Sequence, residues 1–108
     1  MNTNLFNALV EGRIGKIRAV LANKAREYSS ATDMLHNFKR GAAIFECTPE
    51  RHNLFLNSKH LISIQDMVAD LDAGKVALVE QWEEKIGDAI NYLILLEGLV
   101  KERISNGQ

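Results

Sequence analysis

The sequence predicts an all-α protein, a compact bundle of four helices, or of five if the first is broken. Three observations carry this. Apolar residues recur at three- and four-residue intervals along most of the chain. Strand-like alternation never lasts more than a few residues. The single proline, Pro49, stands where it starts a helix and does not interrupt one.

The first segment, residues 4–28, places Phe6, Leu9, Val10, Ile14, Ile17, Val20 and Leu21 on one side. Gly12 and Gly15 each cost about 1 kcal/mol relative to alanine in a helix, so a break or kink is expected near 12–15. "YSSATD" interrupts the pattern, with Ser30 and Asp33 spaced as a capping box. A second helix is expected from about 31 to 46, with Met34, Leu35, Phe38, Ala42 and Phe45 inward. "CTPE" ends it and opens the third: Thr48 as N-cap, Pro49 in the first turn, Glu50 near the positive helix end.

The third helix should run from 49 to about 73 and stop at Gly74, with Leu54, Leu61, Ile64, Val68 and Leu71 as its inner stripe. The fourth should run from about 77 to 104 and fray into "SNGQ". Its core spacing is Trp82, Ile86, Ala89, Leu93, Leu96 and Val100. A neighbouring row, Glu84, Asp88, Asn91 and Leu95, starts acidic and becomes apolar. Nothing divides the 108 residues into separate domains.

A chain of this size buries roughly 65% of its unfolded surface, enough for one modest core. Its 46% hydrophobic and 25% charged residues are ordinary for a globular domain. A formal charge of −1 offers no global basic field for duplex nucleic acid. The longest apolar run, "YLILL", is too short to cross a bilayer, so no membrane is expected. One cysteine and no apolar N-terminal segment give a cytoplasmic location as the expectation. Cys47 is read as a buried small hydrophobe. The apolar breadth of 86–100 calls for more than one neighbour, hence a homo-oligomer.

Asp88 and Asn91 open the most hydrophobic stretch of the chain, and a buried carboxylate needs a partner. Asp66 and Asp70 lie one turn apart on the preceding helix. Together with Glu84 and Asp88 they would form an oxygen cage of the kind Mg²⁺ prefers if the two helices bring them together. The other reading is that these acids are solvated, or pair with Lys85, Lys59 or Arg40, and that Asn91 fixes helix register. Lys59 and Arg40 are candidate phosphate contacts, Tyr28 a candidate for stacking on a base, and Asn91 a further candidate nucleotide contact. His36, His52 and His60 have no zinc-like spacing.

The segments "REYSSATDMLHNFKR", "KHLISIQDMV" and "EKIGDAINYLILLEGL" resemble small all-α proteins of phages and prophages similar to the nucleotide-modification-associated domain 1 family. The likeness spans about residues 24–103. More distantly, "EEKIGDAINYL" is similar to the second acidic motif of MazG-like nucleoside triphosphate pyrophosphatases. Asp88 matches that motif's final aspartate. Lys85 stands where a glutamate is expected, with Glu84 displaced by one residue, which turns it about 100° around a helix. The first motif has no faithful copy; Asp66 and Asp70 are its nearest, shorter counterparts. The resemblance implies a nucleotide-binding protein, with Mg²⁺-dependent hydrolysis of a triphosphate as its possible activity. The alternative is a non-catalytic phage protein that binds a host protein or sequesters a host signal.

Overall fold

The computed structural model describes residues 1–27 and 33–107, the side chains of 24–27 excepted. Among the described residues four helices follow one another: α1 (Thr3–Glu27), α2 (His36–Ile44), α3 (Pro49–Asp72) and α4 (Val79–Ser105). The protein is all-α, and no strand occurs among the described residues. The chain divides into two units, residues 1–34 and 35–108, each considered on its own. No helix is long and apolar enough to cross a membrane.

In the first unit α1 is one unbroken helix. Gly12 and Gly15 weaken helix propensity but keep their N–H donors, so the expected break does not occur. Leu5, Phe6, Leu9, Val10 and Val20 are all exposed. The Ser30 half of the expected capping box and Tyr28 lie outside the described residues.

The second unit is a bundle of α2, α3 and α4. Helix α2 starts later than expected, because Leu35 occupies the N-cap without a side-chain cap. Its end is a Schellman closure: Cys47 N–H donates to the Ala42 carbonyl (2.9 Å) and Glu46 N–H to Ala43 (3.4 Å). This forces Glu46 to φ 55°, where an L-residue is strained by about 1–2 kcal/mol. Cys47, on this turn, is exposed and not the buried hydrophobe expected.

The start of α3 is as the sequence dictates. Thr48 Oγ1 accepts from Arg51 N–H at 3.2 Å, Pro49 stands in the first turn and Glu50 follows. Helix α3 ends in a second Schellman closure, Lys75 N–H to the Asp70 carbonyl at 2.8 Å, with Gly74 at φ 85°. Helix α4 begins with Gln81 Oε1 accepting from Leu78 N–H at 3.2 Å.

The apolar core is small. Leu35, Phe38 and Leu99 form its centre, with Leu56, Tyr92 and Leu95 packed around them. The stripes expected to face inward largely do not. On α3, Leu54, Leu61, Val68 and Leu71 are exposed; on α4, so are Ile86, Leu93 and Val100. The row expected to lie beside the α4 core faces α3 instead, with Asn91 buried and Leu95 in the core.

Gly41 belongs to the packing of α2 on α3. A Cβ built there would lie 2.2 Å from His52 Nε2, and the His52 ring stacks on Phe45 at 5.7 Å. Two outcomes follow for chemical denaturation. Gly41→Ala should lower stability by about 1–3 kcal/mol through overpacking. Glu46→Gly should raise it by about 1 kcal/mol by relieving the left-handed backbone.

Candidate functional site

The α3–α4 contact is built from polar side chains. Asn53, Asn57 and His60 fall on one side of α3, at intervals of four and three residues. Helix α4 runs antiparallel to it. Asn53 Nδ2 donates to the Tyr92 carbonyl at 3.0 Å and Asn57 Nδ2 to the Ala89 carbonyl at 3.4 Å. One step further along, His60 Nδ1 lies 3.7 Å from Asp88 Oδ2. Three successive side chains of α3 thus meet α4 in descending order, fixing the register of the pair.

Short side chains can reach main-chain carbonyls only if the helices approach closely. Gly87 and Ala89 are both buried on α4. Asn53 and Asn57 are 0% and 1% exposed. Each amide gives one donor, and the side-chain oxygens of Asn53, Asn57 and Asn91 have no protein partner. Turning either α3 amide over would set its oxygen against the carbonyl it now serves, so the donor assignment follows from the network.

Tyr92 closes the seam. Phe38 meets its ring edge-on at 6.1 Å, and the His60 ring lies 5.2 Å away at a 40° tilt. Burial, and secondarily the Asp88 carboxylate, hold the phenol above its usual ionisation range. His60 and Asp88 are partly exposed at this end, so solvent reaches the imidazole–carboxylate pair.

The sequence-derived candidates fall in different places. Asp66, Asp70, Glu84, Lys59 and Arg40 are exposed, Asp88 is half-buried beside His60, and Asn91 is buried in the seam. Asp88 therefore meets an imidazole, and Asn91 sits where a solvent-borne phosphate does not reach. Among the described residues no three His, Cys, Asp or Glu side chains gather into a group that could hold a metal ion. Within one copy, the donor set expected for Mg²⁺ is therefore not assembled from Asp66, Asp70, Glu84 and Asp88.

Asn53 and Asn57 were not singled out by the sequence reading. Their signal was two asparagines one turn apart in a helix interior, in register with His60. Where the start of α3 meets the end of α4, a cleft of about 310 Å³ lies over Leu99 and Pro49. Its charged rim is two ion pairs, Lys39 with Glu102, and Arg103 with Glu50 at 3.3 Å. The four charges sum to zero.

No protein-family model matches the chain. No curated protein matches it either. Nor does any solved structure.

Two outcomes follow. Asn53→Asp places a carboxylate in the dry seam and should cost at least about 3 kcal/mol near neutral pH, read by urea denaturation. An unfolded tyrosine ionises near pH 10. Above that pH the folded state retains a Tyr92 proton that the unfolded chain has lost. The contribution is therefore complete below pH 10 and lost as pH rises through the higher folded value. Absorbance titration should show one tyrosine ionising late, and Tyr92→Phe should remove that component.

Proposed function

We propose that the protein is a helical interaction module that acts by associating with a second copy of itself, and that the exposed apolar stripes of α3 and α4 are its working surface. One observation carries the reading. Leu54, Leu61 and Val68 on α3, and Ile86, Leu93 and Val100 on α4, each recur every seven residues and are 37–53% exposed. A seven-residue period on one helix face is the pattern by which helices pack along one another. Burying a large aliphatic side chain contributes about 1.5–3 kcal/mol, so several of them supply a strong drive to associate.

The polar seam fits the same reading. Buried amides give less hydrophobic stabilisation than leucines would, and they fix the pairing of two helices. A bundle whose inner contact is amide-rich and whose outer stripes are apolar gains its remaining stability on assembly.

Sedimentation equilibrium tests this. The wild-type chain should sediment above its 12.1 kDa mass at micromolar concentration. Leu61→Glu and Leu93→Glu should shift it toward monomer with helix content retained, whereas Asp66→Asn should leave association intact. A monomeric wild-type chain overturns the reading.

A second reading is favoured by the half-buried Asp88 beside His60 at the solvent end of the seam. Here the protein binds a nucleotide-like ligand, with exposed Lys59 and Arg40 available to its phosphates. A Mg²⁺ ion brought with the nucleotide needs only one or two carboxylates besides the phosphates, a part that Asp88 would take. A nucleoside triphosphate with Mg²⁺ at 100 times its Kd should stabilise the fold by about 2.7 kcal/mol. Asp88→Ala should remove that gain; no thermal shift with any common triphosphate ends this reading.

A further inference from the structure

We infer that the turn joining α3 to α4, with the acidic helix ends beside it, is a docking surface for a basic, aliphatic peptide segment of another protein. It uses none of the residues named above for self-association. Turns between helices are ordinarily polar. This one contains Val76, Ala77 and Leu78, and Val79 opens α4. Val76, Leu78 and Val79 are 65–73% exposed. Leu78 holds the N-cap of α4, where Ser, Thr, Asp or Asn would satisfy a helix N–H, and it makes no side-chain cap. A residue that breaks a local rule without a local gain points to a use elsewhere.

The turn is pinned at both ends. Lys75 N–H donates to the Asp70 carbonyl at 2.8 Å, and Leu78 N–H to Gln81 Oε1 at 3.2 Å. The apolar side chains therefore stand on backbone that is already ordered, which lowers the cost of docking.

Charge selects the occupant. Six carboxylates and two lysines lie between residues 66 and 85, a net charge of −4 in a chain whose total is −1. Asp66, Asp70, Asp72, Glu80 and Glu84 are exposed, and none forms an ion pair among the described residues. Their field repels nucleic acid and anionic lipid. A second copy presents the same negative turn, so contact between two such turns is opposed. Nor, among the described residues, do three His, Cys, Asp or Glu side chains gather to hold a metal ion. The complement is a segment whose Lys and Arg meet the carboxylates while its aliphatic side chains cover Val76, Leu78 and Val79.

Fluorescence anisotropy with a labelled leucine–lysine helical peptide tests this, against the same peptide with glutamate for lysine. The full chain should bind the first and not the second, and more weakly as salt rises. Asp70→Asn, Asp72→Asn, Glu80→Gln and Glu84→Gln together should weaken binding about tenfold. Val76→Ser with Leu78→Ser should weaken it by about as much. Leu78→Ser also supplies the missing cap, so helix content by circular dichroism should not fall. Glu97→Gln, at the other end of α4, should change nothing. Failure to bind the lysine peptide overturns the inference, as does equal binding of the glutamate peptide or of either multiple variant. Sedimentation as an oligomer that only the serine variant abolishes assigns the turn to a second copy, and overturns it too.

Discussion

Two amide-to-carbonyl hydrogen bonds between α3 and α4, from Asn53 and from Asn57, are the constraint on which the second unit depends. A buried amide N–H without an acceptor costs about 1–3 kcal/mol, so the helices must lie where both find one. Asn53 and Asn57 are one turn apart, and their acceptors, Tyr92 and Ala89, are three residues apart on α4. Together the two bonds tie α3 to α4 across the seam.

The rest follows from that register. It brings Leu99 onto Leu35 and Phe38, sets Tyr92 under Phe38 and His60, and places Asp88 where imidazole is its neighbour. The same rotation turns Ile86, Leu93 and Val100 away from α3. The amide seam and the apolar exterior are two consequences of one choice of face. A helix apolar on nearly all sides can give only one side to its neighbour in the chain. In α4 that side is the row holding the polar residues.

The local signals in the sequence were strong where a single residue type has one physical use. Thr48, Pro49 and Glu50 opened α3, and Gly74 closed it, because capping depends on backbone groups within a few residues. Gly12 and Gly15 misled, since glycine lowers helix propensity without removing a hydrogen bond. Cys47 misled in another way: burial is common for free cysteine, but this one sits on a turn whose geometry comes from Ala42 and Glu46. Asp88, expected to be buried and in need of a partner, is half-buried with His60, 28 positions earlier in the chain, 3.7 Å away.

By itself the sequence determined the all-α class, the start and end of α3 and the apolar character of α4, because periodicity and capping are written within a few residues. Only the tertiary structure decided which stripe each helix buries. That depends on which long-range pairing satisfies buried donors, and Asn53 reaches Tyr92 across 39 residues of chain. On α3 the leucine row was the one expected to face inward, and the structure turns the amide row there instead. In the structure Asn53 and Asn57 find backbone acceptors on α4, and the leucines stay outside.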